Sequence, residues 1–283
     1  MMREPVAWVL NLDAELELEA GARYTPTASM VAATSAAAER LRAMLPPDDV
    51  VLGVDAGASA RGLTGRCFCP TTSALRRLER AGARVPDAPS MEVLARVNER
   101  GFALALHRLE GALRCDDEDA VVRAVAREGR WLLKRGLAFA GRGQRRIDAG
   151  SILDADRAWI RASLQKGALY VEPRVAITLE VALHGLLAED GSCERGEPTV
   201  QEVSAGAWSR SWRAAPGELH DDELARLARC FDDAAGALHE AGYFGPFGID
   251  AFRYESGGRE RFQPLSEINA RYTMAWGTGM SAW

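Results

Sequence analysis

Lysine is nearly absent from this sequence. Of its 35 basic residues only Lys134 and Lys166 are lysine, and arginine supplies the rest. With abundant alanine, that bias fits a GC-rich genome rather than a function, so each retained lysine asks what arginine would not do there. A compact ammonium on a flexible stem fits between phosphate oxygens where a planar guanidinium does not. Positive charge is not in excess either: 40 acidic residues leave a formal charge of −5. That excludes a general nucleic-acid or anionic-membrane binder. No apolar run is long enough to span a membrane, since the longest uncharged stretch, Tyr24 to Ala38, carries Pro26 and several hydroxyl residues. Near the start, Val6-Ala7-Trp8-Val9-Leu10 soon meets Asp13 and Glu15. It is too short for the apolar part of a signal peptide, and a cytoplasmic location is expected. Cysteines are few and odd in number, so reduced thiols are expected rather than disulfide staples. Cys67-Phe68-Cys69 lacks the second pair a zinc site needs, and the four histidines lie far apart.

What remains is an ordinary globular mixture, 47% apolar and 27% charged, over 283 residues, enough for two or three packed subdomains. Strand patterns at Val6 and Val50–Val54 alternate with helical ones over Ala32–Met44 and Thr71–Ala83. A longer helix is expected from its cap at Ser90 to about Leu109. Strands alternating with helices imply a parallel sheet with covered faces. In the middle, a helix over Asp117–Glu128 precedes a strand, Trp131 to Lys134, and a loop built on Gly136, Gly141 and Gly143 that ends at Arg145-Arg146. A helix over Asp154–Gln165 and a strand over Ala168–Val171 follow. From Ile177 the pattern is mostly strand, interrupted by a helix over Asp221–Ala241. The division expected is 1–115, 116–175 and 176–283. Trp208 and Trp212, beside Arg210 and Arg213, read as core and rim.

Three constellations carry chemistry. In the C-terminal hairpin, Glu267 and Asn269 share one strand face. A turn centred between Gly258 and Arg259 would set Asp250 directly opposite Glu267. Two carboxylates and an amide oxygen at that spacing offer hard ligands to a divalent cation, which would relieve their repulsion. The second constellation is Lys134 with the glycine loop, a backbone able to approach phosphate closely beside a point charge. The third is Tyr170-Val171-Glu172-Pro173-Arg174-Val175, an apolar strand running into a short crossing able to show backbone groups to a purine edge.

In order, these segments resemble the ATP-grasp superfamily. The lysine strand and glycine loop, the Glu-Pro crossing, Gly248-Ile249-Asp250 and Ser266-Glu267-Ile268-Asn269-Ala270-Arg271 cover about the last 170 residues, and the earlier part suits that family's preceding α/β domain. The resemblance implies an α/β chain, α+β in its C-terminal part, with an ATP-grasp fold. It implies that Lys134 contacts the ATP phosphates and that the Arg135–Gln144 loop, with Gly141 and Gly143, orders over them when Mg²⁺ and nucleotide bind. Glu172, the carbonyl of Pro173 and the amide of Val175 would hold adenine, and Glu180 the ribose hydroxyls. Asp250, Glu267 and Asn269 would be the Mg²⁺ ligands, and Arg271 would steady the transferred phosphoryl. An Asn-Asp-Lys stretch usual in the family is Asn98-Glu99-Arg100 here, so Arg100 would take the phosphate with a different geometry. The chain ends a short way past Arg271, leaving the acceptor side open or completed by a partner chain; a homodimer is the commonest assembly. The implied function is ligation of a small-molecule or peptide carboxylate to an amine at the expense of ATP. The alternative is a nucleotide-binding regulatory or scaffold protein.

Overall fold

The computed structural model describes residues 3–138, 143–148, 150–204 and 207–283. Its first sheet is parallel, with β1 (Val6–Val9) between β2 (Val50–Val51) and β3 (Thr64–Cys67). Around it lie α1 (Ala14–Ala20), α2 (Ala28–Arg42) and α3 (Thr72–Arg80). Trp8 packs with Leu41 and Val51 on one face, and Ala7 and Val9 with Ala74 and Leu78 on the other. Burial on both faces is why β1 reads as an unbroken apolar run. β2 is shorter than its apolar pattern, because the amide of Val54 turns back to the carbonyl of Val51.

Ser90 caps α4 (Met91–Asn98) by accepting the Val93 amide, but the helix does not continue to Leu109. It breaks at Glu99, whose extended backbone lets its carboxylate accept the amide of Gly101 at 2.8 Å and begin α5 (Arg100–Leu106). Arg100 thus becomes the first residue of a new helix.

The second sheet is antiparallel, in the order β4-β7-β5-β6: β4 (Leu113–Cys115), β5 (Arg130–Arg135), β6 (Gln144–Asp148) and β7 (Leu169–Pro173). α6 (Glu118–Val125) and α7 (Asp154–Leu164) cover one face, burying Val121, Val125 and Ile160 against Leu133, Leu169 and Val171. The sequence pattern missed β6. Arg145 and Arg146 lie on that strand rather than at a loop's end, and Asp156 pairs with Arg145. Strand alternation sends Lys134, Tyr170 and Glu172 to the uncovered face.

The third sheet runs β11-β10-β8-β12-β13, with β9 also paired to β8. Its strands are β8 (Ala176–Leu187), β9 (Cys193–Arg195), β10 (Thr199–Ser204), β11 (Ala207–Arg213), β12 (Gly245–Ser256) and β13 (Arg259–Asn269). α8 (Asp221–Glu240) lies across one face, with Leu227, Phe231 and Leu238 against Val181, Leu183, Phe247, Ile249 and Ile268. Ala14 and Leu18 of α1, with Leu94, Val97 and Ala103, join the same core. The opposite face carries Glu180, Asp250, Glu267 and Asn269. A short α9 (Trp276–Met280) follows. Among the described residues no helix is long and apolar enough to cross a membrane.

The hairpin turn is not where the sequence suggested. Ser256 faces Arg259 across a two-residue turn at Gly257-Gly258, both at positive φ (59° and 71°), which glycine alone adopts freely. A bulge in which Pro264, Leu265 and Ser266 oppose the single Ala251 then shifts the register, and Asp250 still comes opposite Glu267. Proline has no amide hydrogen to lose at such a site.

Candidate active site

The uncovered faces of the second and third sheets meet at one cleft, and α5 enters it. On β5, Lys134 Nζ lies 2.6 Å from Glu172 Oε2 of β7, both side chains 13% exposed. The backbone break at Glu99 brings in Arg100: the Glu99 carboxylate accepts from the Tyr170 hydroxyl at 2.6 Å and ties the start of α5 to the second sheet. The Arg100 guanidinium reaches across to the third sheet, Nη1 and Nη2 each 3.4 Å from one oxygen of Glu267.

Glu267 faces Asp250 across β12 and β13, two carboxylates in register. Neighbouring amides offset part of the repulsion. Gln201 of β10 donates to Asp250 Oδ1 at 3.0 Å and Asn269 donates to Oδ2 at 2.9 Å. Burial, reinforced by the Glu267 charge, pushes the Asp250 carboxyl up to about 7. Burial also pushes Glu267 up, but Arg100, Lys134 and Arg271 outweigh it and hold that carboxyl below the usual range. The two acids are therefore unequal: Glu267 keeps its charge through its cations, while Asp250 holds a proton more readily. Burial raises the Glu180 carboxyl, with Lys134 offsetting it in part.

Lys134, Arg100, Glu172, Glu180, Asp250, Glu267 and Asn269 thus come together. Arg271 is drawn aside. Its Nε bonds Glu15 Oε1 of α1 at 2.6 Å, and its guanidinium lies 5.3 Å over the Phe68 ring. Pro173 ends β7, and Val175, in the crossing to β8, packs against the small Leu109, Ala112 and Tyr254 cluster. Gly143 lies just before β6 and its carbonyl accepts the Arg135 amide at 3.0 Å. Gly141 and Arg142 lie outside the described residues. Sequence reasoning missed Gln201, whose only signal was a polar residue inside a strand, and the positioning pair Glu99 and Tyr170.

The donor set fits Mg²⁺. Asn269 donates an amide hydrogen to Asp250, so its carbonyl oxygen would be available as a third hard ligand beside the two carboxylates. Among the described residues no three His, Cys, Asp or Glu side chains are grouped to hold a metal by themselves. Mg²⁺ ordinarily takes one or two carboxylates and completes its shell with water and substrate phosphates.

No family model matches the sequence, and no curated protein does. Solved structures do. An N5-carboxyaminoimidazole synthetase from Staphylococcus aureus complexed with ADP superposes with a TM-score of 0.54 at 10% identity, over 96% of this chain and 72% of that one. A D-alanyl-alanine synthetase A from Vibrio cholerae gives 0.55 at 13% identity, over 99% and 92%. A carboxyaminoimidazole ribonucleotide synthase from Aspergillus clavatus, complexed with ATP, gives 0.54 at 15% identity, over 95% and 71%. All three are ATP-grasp proteins. The chain has the ATP-grasp fold. At these identities the likeness speaks for the fold alone. Within the ATP-grasp fold the small parallel sheet precedes the two sheets that enclose the cleft, the order expected from the sequence.

Proposed function

We propose that the protein is an ATP- and Mg²⁺-dependent carboxylate–amine ligase. The observation that carries this reading is the convergence of Asp250, Glu267 and Asn269 with Lys134 and Arg100 at one cleft. A triphosphate needs cations on one side and metal ligands on the other, and an unrelated surface has no physical reason to crowd four carboxylates beside two cations.

In this reading Lys134 leaves Glu172 for the phosphates and Arg100 joins it. The Pro173 carbonyl and the Val175 amide hold adenine, with Glu172 beside them and Glu180 on the ribose hydroxyls. Asp250, Glu267 and Asn269 would hold Mg²⁺, which when bound would supply charge neutralisation for the transferring phosphoryl group. A substrate carboxylate oxygen attacks the γ-phosphorus and the bond to ADP breaks, giving an acyl phosphate. An amine then attacks the acyl carbon, phosphate leaves, and the nitrogen loses its proton to solvent or phosphate. Arg271 would steady the negative charge of the acyl phosphate only after leaving Glu15, which holds it aside in this structure. No side chain becomes covalently bound, so positioning and charge neutralisation supply the catalysis.

The test is ADP release with pools of carboxylates and amines. Asp250→Ala and Glu267→Ala should each lower turnover about a hundredfold or more while circular dichroism stays unchanged. Full ATP consumption in both variants would sink the reading.

A further inference from the structure

We propose that Arg100 stands in for the metal ion while the site holds no nucleotide, so that metal and nucleotide are taken up as one unit. This rests on the reading of the cleft as a magnesium–nucleotide site.

The guanidinium is built into the cleft wall. Its side chain is 5% exposed, its backbone amide donates to the Gly136 carbonyl at 3.0 Å, and Nε reaches the Arg135 carbonyl at 3.4 Å. Its fork spans both oxygens of Glu267, which a lysine could not do. Yet both contacts, at 3.4 Å, are longer than the ~2.7–2.9 Å of a closed charge-assisted pair. Arg100 neutralises Glu267 without closing on it.

Glu267 is also the carboxylate that a metal between it and Asp250 must take. A guanidinium and a divalent ion on one carboxylate repel each other at close range. A metal arriving alone must therefore push Arg100 away, and Glu172, another acid of the cleft, already holds Lys134. A nucleotide arriving alone must draw Arg100 off Glu267 and so bare that carboxylate to its own phosphates. Together they exchange partners: Arg100 moves to the phosphate and Glu267 moves to the metal. Affinities linked in this way are linked reciprocally.

The experiment titrates Mn²⁺ into the whole protein, with free ion read by electron paramagnetic resonance, with and without a non-hydrolysable ATP analogue. Wild type should bind Mn²⁺ about tenfold more tightly when the analogue is bound. Arg100→Gln should move two affinities in opposite directions: tighter for Mn²⁺ alone, weaker for the analogue in Mg²⁺. A residue with a merely structural role would weaken both. Because Arg100 is buried, Arg100→Lys is measured alongside; it keeps the charge, loses the fork, and should bind Mn²⁺ alone more tightly than wild type by a smaller margin. Folded variants that bind Mn²⁺ alone no better than wild type overturn the proposal. So does a wild-type Mn²⁺ affinity indifferent to bound analogue. Failure of wild type to bind the analogue at all overturns the nucleotide reading instead, and the Mn²⁺-only comparison still decides the role of Arg100.

Discussion

His184 occupies the site face of β8 and is fully buried, with neither ring nitrogen hydrogen-bonded among the described residues. Its ring stands edge-on to Trp276 at 6.4 Å, and two glycines make room for it. A Cβ at Gly279 would come within 2.5 Å of Nδ1, and one at Gly248 within 3.0 Å of the ring edge. Burial pulls the imidazole from its ordinary 6.5 down to about 4. The folded state therefore keeps His184 neutral where the unfolded chain would bind a proton. Stability is whole above pH 6.5 and falls as the pH drops from 6.5 toward 4. At pH 5 the loss from this residue should be about 2 kcal/mol. Urea unfolding at pH 7.5 and pH 5 checks it, since His184→Leu should remove most of that difference. An equal loss in the variant would assign the acid sensitivity to other groups.

At the scale of elements, the break between α4 and α5 decides where Arg100 lies, and Glu99 makes the break. Its carboxylate serves the Gly101 amide and the Tyr170 hydroxyl together. Glu99→Ala should cost about 1–2 kcal/mol in urea unfolding and reduce the melting-temperature rise given by Mg²⁺ and nucleotide. Glu99→Gln keeps an acceptor and should recover most of the stability. If Glu99→Ala left nucleotide binding untouched, the positioning role would be wrong. The sequence showed one uninterrupted apolar periodicity from Met91 onward, because the break comes from a side chain accepting the amide two residues ahead rather than from glycine or proline. The hairpin teaches a related lesson. The pairing of Asp250 with Glu267 was legible from strand alternation, but through a turn one step away from the real one, and the bulge at Pro264 restored it. Period-two patterns report which face a residue takes, and both registers share that parity. The ion pairs of the cleft left no trace in sequence, since Lys134 with Glu172 is a cross-strand contact, and Arg100 with Glu267 joins residues 167 positions apart.

For the whole molecule, ligand binding to the folded state alone should raise stability by RT ln(1 + [L]/Kd), about 2.7 kcal/mol at a hundredfold excess over Kd. The rise should need Mg²⁺, because Arg100 leaving Glu267 for the phosphates would otherwise bare that carboxylate to them. Lys134→Ala should abolish most of it. Lys166, a half-exposed partner of Glu19, should be dispensable. A shift with ATP indifferent to both Mg²⁺ and Lys134 would move the phosphate site elsewhere. Which of the two lysines lies at the cleft was legible in the sequence from the strand and glycine loop around Lys134. How the first helix meets the last strand was not. Glu15 pairs with Arg271 across 256 positions, and Ala14 and Leu18 complete a core built mostly from residues after Leu94. That closure has a consequence during synthesis. α1 meets α4 early, but the strands of the third sheet that cover the rest of its apolar side are made much later, so that side stays partly uncovered while the ribosome works through them. Maturation should then be a late, single event, in which the nascent protein gains protease resistance only after Arg271 has left the exit tunnel.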